Sequence, residues 1–161
     1  MEHSSVRKLW QEYLAANGKQ EEEANKRYTS WHFCDNKKDA EELVELVLQG
    51  VKRATASLYA CYEYEQEEPP KAGNYSVITD WDGIARCIIE TTGVQLFPFN
   101  QVPPEFAATE GEGDGSLEYW RRVHWDCFTR DMAEMGGEPS EDMLVVCEEF
   151  QVVYRSDRSG L

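Results

Sequence analysis

No run of about eighteen uninterrupted apolar residues occurs in the 161-residue sequence, so no helix long and apolar enough to cross a membrane is expected. A basic start followed by an apolar stretch is missing as well. Met1-Glu2-His3-Ser4-Ser5 is unlike a secretory leader, and the expected location is cytoplasmic. The five cysteines, Cys34, Cys61, Cys87, Cys127 and Cys147, include no Cys-x-x-Cys pair and no paired metal-ligand spacing, so they read as buried or half-buried free thiols. A thiolate nucleophile would need a basic partner. The nearest is His124, three residues before Cys127, but Trp125 and Phe128 beside them point to core packing. Positive charge is scarce: 16 Lys and Arg stand against 31 Asp and Glu, for a net charge of −15. The deficit lies in the later part of the chain. Residues 1–60 carry nine Lys/Arg against ten Asp/Glu, and residues 61–161 carry seven against twenty-one. Such a surface repels polyanions at long range, so duplex DNA is not an expected partner, while a small ligand or a locally basic cleft remains open.

What is present suffices for one core. With 41% apolar and 12% aromatic residues, the chain is long enough to bury a sizeable interior and short for two, so a single domain over 1–161 is expected. Val6, Leu9, Trp10, Tyr13 and Leu14 recur at three- and four-residue spacing, which predicts an N-terminal helix over about 4–17 ahead of a core of about 28–154. Ser4 and Ser5 offer its cap and Asn17-Gly18 its stop. Lys19 to Lys26 has no large apolar residue and reads as solvated loop or helix extension. Tyr28 to Cys34 suits a short strand, and Ala40 to Leu48 a helix capped by Asp35 or Asn36 with Gly50 beyond its end. Tyr75–Thr79 and Ile84–Thr92, joined through Asp80-Trp81-Asp82-Gly83, predict a hairpin. A helix is expected to open at Pro103 or Pro104, a loop at Glu110–Gly115, a helix capped by Ser116, and a closing strand or two bent ones over Met143–Tyr154. The mixture argues for an α+β fold with a curved, mostly antiparallel sheet or small barrel and flanking helices.

Three places carry candidate chemistry. Lys52 and Arg53 follow a helix end and precede Thr55 and Ser57 in an extended stretch. Alternation sets Arg53, Thr55 and Ser57 on one face and Lys52, Ala54 and Ala56 on the other. Ammonium, guanidinium and hydroxyls there could converge on an oxyanion or phosphate; a solvated basic turn leading into a strand is the plainer account. No Gly-x-x-x-x-Gly-Lys phosphate loop accompanies them. Glu90 ends the apolar run Cys87-Ile88-Ile89 and is either an inward acid or the exposed member of an alternating strand. Glu110, Glu112 and Asp114 alternate with glycines, a pattern open to a hard divalent cation or to a solvated loop at a helix start. His32 and His124 are lone histidines beside tryptophans and read as packed.

Taken together, Trp31-His32-Phe33, Ala40 to Leu48, Gly50-Val51-Lys52-Arg53-Ala54-Thr55-Ala56-Ser57, Ile89-Glu90-Thr91-Thr92, Phe106 to Asp114, Ser116 to Arg121 and Val152-Val153-Tyr154 resemble the bacterial branch of the activating-signal-cointegrator homology (ASCH) domain family, over roughly residues 28–154. The resemblance implies a barrel related to the pseudouridine synthase and archaeosine transglycosylase (PUA) fold, with the Gly-x-Lys-x-x-Thr segment lining a cleft. It also implies a nucleoside, nucleotide or single-stranded RNA as partner. Members of the wider family include amidohydrolases that deacetylate N(4)-acetylcytidine, single-strand ribonucleases and binding modules. In the amidohydrolase branch the proposed Lys, Thr and Glu fall on Lys52, Thr55 and Glu90, with Thr55 as nucleophile. A ribonuclease would hold phosphate with Lys52 and Arg53 and a divalent cation at Glu112 and Asp114; no other cofactor is implied. A binding module would use the same basic pair, Lys52 and Arg53, with Trp31 or Tyr59 as stacking platforms, and Ser57 is a further candidate for substrate contact. The chain departs from the amidohydrolase branch in its length, in the residue after Lys52 and in the Glu110–Asp114 loop.

Overall fold

The computed structural model describes residues 1–18 and 28–157, so the stretch Lys19–Lys26, read above as solvated, lies outside the described residues. Its elements fall into two compact units that interleave along the chain.

The first unit draws its described residues from Met1–Gly50, Gly73–Thr91 and Gln151–Leu161. Helix α1 (Ser4–Ala16) buries Val6, Leu9, Trp10, Tyr13 and Leu14, the stripe that the spacing predicts. Its cap differs from expectation. His3 takes the N-cap position and its Nδ1 accepts from the Ser5 amide, while the Ser5 hydroxyl accepts from the Ala85 amide at 2.9 Å. Strand β1 (Tyr28–Trp31) precedes α2 (Lys37–Leu48), which is capped by Asn36. Strand β3 (Tyr75–Thr79), which follows β2 (Ala54–Leu58) of the other unit in chain order, pairs parallel with β1 and antiparallel with the start of β4 (Ala85–Pro98). The connecting turn is closed by the Asp80 carboxylate, which accepts from the Ile84 amide at 2.9 Å. The apolar face of α1 packs on Tyr75, Val77, Ala85 and Ile88, with Trp10 against the rings of Tyr13, Tyr28 and Tyr75. Burial of such large aromatic side chains dominates the stability of a small core.

The second unit comprises Val51–Ala72 and Thr92–Phe150. It holds β2 (Ala54–Leu58), the short helix α3 (Tyr59–Glu65), a 3-10 turn at Phe99–Gln101, α4 (Pro104–Glu110), α5 (Leu117–Glu134) and the first part of β5 (Leu144–Arg155). Strand β2 pairs antiparallel with β5, Thr55 opposite Glu148 and Ala56 opposite Cys147. Ala54, Ala56 and Leu58 share the face that packs with Phe99, Val102, Phe106, Trp120, Phe128 and Val145, so Thr55 and Ser57 lie on the other face.

The strands are hydrogen-bonded in the order β1-β3-β4-β5-β2, with β4 and β5 running through both units. The α+β class is as the sequence implies. The sheet is mixed, because β1 and β3 run parallel, and β1 and β2 stand at its two ends, so among the described residues the hydrogen bonding is not that of a closed barrel.

Candidate functional site

Two backbone hydrogen bonds fix the start of the Lys52 segment. The Arg53 amide donates to the Thr109 carbonyl at the end of α4, and the Arg53 carbonyl accepts from the Phe150 amide. The side chain of the preceding residue, Lys52, turns inward and is 1% exposed. An ammonium removed from water must be compensated by charge and by acceptors. Lys52 Nζ donates to the Ala54 carbonyl at 2.7 Å and to Glu110 Oε1 at 3.2 Å, and lies 3.7 Å from Glu112 Oε1.

The last residue of α4 and the turn that follows it deliver the two carboxylates. Pro104 occupies the first helical turn, where its missing N–H costs nothing, and Phe106, Ala107 and Glu110 form the buried side of this two-turn helix. Gly111 ends it at φ +68°, and a Cβ there would sit 2.3 Å from the Val51 carbonyl oxygen. Gly113 adopts φ +59° with the ring of Tyr119 in the space a Cβ would fill. The glycines are what let the chain pass this close and bring Glu110 and Glu112 beside Lys52. Gly111→Ala therefore meets both a backbone clash and an unfavourable φ. It is expected to lower stability by more than about 1 kcal/mol, read as a lower urea midpoint at unchanged slope; an unshifted midpoint would show that the turn relaxes freely.

Helix α5 supplies the other wall. Ser116 caps it, accepting from the Tyr119 amide, and Asp114 accepts from the Ser116 amide at 2.9 Å. Trp120, His124 and Phe128, four residues apart, form its buried face. The Trp120 indole N–H donates to Glu110 Oε2, and its ring stacks on the His124 imidazole at 4.3 Å. His124 Nδ1 is 2.8 Å from the Trp120 carbonyl, which can only accept, so that nitrogen carries a proton. Nε2 points at the carboxylates, 3.3 Å from Glu110 Oε2 and 4.0 Å from Glu112 Oε2. Lys52 thus brackets the acids on their Oε1 side and His124 on their Oε2 side.

This arrangement separates the two acids. Burial alone would raise Glu110, but the Lys52 ammonium, then His124 and the Trp120 N–H, overcome it and hold the carboxyl at about 2. Glu112 is raised, first by burial and then by the neighbouring Glu110 charge, against the pull of Lys52 and His124. Burial, the largest single effect on His124, pushes it down, but Glu110, Glu112 and the Trp120 carbonyl together raise it, so its net shift is upward. Glu112 is also the acid with the larger side-chain exposure, 15% against 2% for Glu110. Two carboxyl groups pushed apart in this way suit opposite roles in proton transfer.

Stability must then depend on pH at both ends. Glu110 is depressed, so its contribution is present above the ordinary carboxylate value and is lost as pH falls toward about 2. His124 and Glu112 are raised, so theirs is complete below the unfolded values and is lost as pH rises through the folded ones. The urea midpoint is expected to peak in mildly acidic solution, between the ordinary carboxylate and imidazole values, and His124→Gln to flatten the alkaline limb. A wild-type midpoint that fell on neither the acid nor the alkaline side of that interval would contradict this balance.

The other predicted residues have other partners and surroundings. Thr55 is on the opposite face of β2 from the apolar cluster, across from Glu148, and the Ser57 hydroxyl is 2.8 Å from the Tyr62 hydroxyl. Arg53 is exposed next to Lys52, and Tyr59 opens α3. Trp31 and Glu90 belong to the first unit: Trp31 packs edge-on to Phe33, and Glu90 accepts from the Gln151 amide at 3.3 Å. Asp114 is an exposed cap. Of the residues named from the sequence, Lys52, Glu110 and Glu112 are brought together, Glu110 having been read there only as a member of an acidic loop; His124 and Trp120 are the members that the sequence did not assign to a site. Burial pushes the thiols of Cys61, Cys87 and Cys147 to about 11, 12 and 12, which leaves them protonated and unreactive at neutral pH.

Ligand atoms of Glu110, Glu112 and His124 all lie within 4.8 Å of one another, close enough to consider a cation. The same carboxylates already face the Lys52 ammonium at 3.2 and 3.7 Å. A divalent ion would leave two acids facing three positive charges in a buried site. The residues present therefore do not fit a divalent metal while Lys52 is in place.

No curated protein matches the sequence. Among solved structures, an ASCH domain from Lactobacillus crispatus JV V101 is 38% identical, with a TM-score of 0.90 over 96% of this chain and 97% of its own. Protein EF3133 from Enterococcus faecalis V583 is 34% identical, with a TM-score of 0.86 over 94% of this chain and 89% of its own. The ASCH domain family itself matches residues 29–154, and this chain belongs to it.

Proposed function

We propose that the protein binds an RNA- or nucleoside-type ligand at the Lys52 segment and hydrolyses the amide of an acylated cytidine-type base, with Glu112 as the group that moves the proton. The observation that carries this reading is the pair of buried carboxyls held apart in proton affinity between Lys52 and His124, with only Glu112 partly open. A neutral nucleoside also needs no electrostatic steering, which suits a chain of net charge −15. In the proposed reaction, Glu112 takes a proton from a water whose oxygen attacks the acyl carbon. The C–N bond then breaks, Glu112 returns its proton to the departing exocyclic nitrogen, and a carboxylic acid and the free amine leave. Lys52, Glu110 and His124 act through Glu112 as positioning residues.

Support for Glu112 over the Lys52/Thr55/Glu90 set that the family resemblance implies comes from the opposite facing of Thr55 on β2. Incubation of the pure protein with N(4)-acetylcytidine, with and without EDTA, tests the proposal. Release of cytidine and acetate, unchanged by the chelator, is expected. No release would remove the hydrolase reading, and release abolished by EDTA would return the site to metal chemistry.

A further inference from the structure

A second feature of the same unit lies on the outer side of α5. Phe99, Arg121, Arg122, Trp125, Asp126 and Glu141 line an open groove of about 340 Å³. Its walls are tied by the backbone. Around the Phe99–Gln101 turn, the Phe99 amide donates to the Met143 carbonyl and the Asn100 amide to the Glu141 carbonyl, at 2.8 and 2.9 Å. Arg121 Nη2 reaches the Asn100 carbonyl at 3.4 Å, and the Arg122 guanidinium lies 5.4 Å from the centre of the Tyr119 ring. Phe99 and Trp125 meet with ring centres 5.4 Å apart, Phe99 buried and Trp125 half-buried, so the indole offers a braced aromatic surface.

Charge makes the groove unusual for this chain. Acids outnumber bases 31 to 16, yet two adjacent arginines here form no ion pair with a carboxylate among the described residues. Guanidinium groups suit phosphate oxygens, and an aromatic face suits any base. Asp126 and Glu141 accept hydrogen bonds only, which matches the exocyclic amine of a base and disfavours a second phosphate. The volume and the mixed charge point to one nucleotide rather than a duplex.

We infer that this groove binds one nucleotide of a single-stranded polynucleotide, the base stacked on Trp125 and its phosphate held by Arg121 and Arg122. The site shares α5 with the reaction centre but does not depend on the hydrolase reading. It serves to hold a strand, whatever happens at Glu112.

The test is an anisotropy titration of the full chain with labelled single strands of about eight nucleotides, free of acyl groups, from about 20 to about 200 mM salt. Arg121→Gln/Arg122→Gln is expected to weaken binding at least tenfold and to flatten the salt dependence by about 0.7 for each phosphate no longer neutralised. Trp125→Ala should weaken binding with less change in salt dependence, and Lys8→Gln in the first unit should bind as wild type. Any of three results overturns the inference: no wild-type binding at the lowest salt, the double arginine variant binding as wild type, or polyglutamate competing as well as the oligonucleotide. Because no acyl group is present, failure here leaves the hydrolase proposal standing, and failure of hydrolysis leaves this one standing.

Discussion

Lys52→Met is expected to cost about 3–5 kcal/mol of folding stability, the largest loss of any single substitution at this site. The reason is the company that Lys52 keeps. Glu110 is 1% exposed and its low proton affinity derives chiefly from the Lys52 ammonium. Methionine fills similar volume without charge, so the apolar stem is largely replaced while Glu110 is left as a buried anion with His124 as its remaining cation. The Ala54 carbonyl loses its donor at the same step. A urea melt at neutral pH measures the loss. The variant should recover part of its stability as pH falls, because Glu110 can then be protonated, and Lys52→Met/Glu110→Gln should be more stable than Lys52→Met alone. If the double variant is instead less stable by the sum of the two single losses, Lys52 and Glu110 are not coupled and the charge balance drawn here is wrong.

The second large effect is on activity. Glu112→Gln keeps the shape of the side chain and removes its ability to accept a proton, and is expected to lower kcat/KM on N(4)-acetylcytidine by about 10²–10⁴-fold. Its stability should hold or rise slightly, because burial and the nearby Glu110 charge oppose ionisation of this carboxyl in the folded protein. The pH profile separates a proton-transfer role from a structural one. Wild-type kcat/KM should climb as Glu112 ionises, at higher pH than an ordinary glutamate, and fall at still higher pH as His124 loses its proton; in Glu112→Gln the acid limb should vanish. A variant that is folded, inactive and still shows the wild-type acid limb would mean that another group carries the proton.

Much of the fold was legible because it rests on periodicity and on punctuation. The stripe Val6, Leu9, Trp10, Tyr13 and Leu14, the Asn36 cap, the hairpin through Asp80–Gly83, Pro104 at a helix start and the Ser116 cap are local signals, and each stands where its chemistry places it. The parallel pairing of β1 with β3 and the ends of the sheet are long-range matters that no local pattern encodes. Helix α3 is seven residues with none buried, too short to show a helical stripe.

The site was legible only in part for a related reason. Lys52 carried a motif, whereas Glu110 sat in a Glu-Gly-Glu-Gly-Asp-Gly run whose composition is that of a solvated loop. One signal pointed the other way. Phe106 and Glu110 are four residues apart, as are Trp120 and His124, so each polar residue shares a helix face with an aromatic one that must be buried. Burial of the aromatic carries the acid and the imidazole inward with it. Thr55 shows the converse. It has the right spacing from Lys52, but strand alternation turns it to the opposite face of β2, where its cross-strand neighbour is Glu148.

The most direct measurement of the central claim is the rate of acetate release from N(4)-acetylcytidine by wild type, Glu112→Gln and Thr55→Ala, all confirmed folded. A reaction centre built on the Lys52, Glu110, Glu112 and His124 cluster predicts that Glu112→Gln is nearly inactive and that Thr55→Ala keeps wild-type turnover. Loss of turnover in Thr55→Ala with activity retained in Glu112→Gln would contradict it.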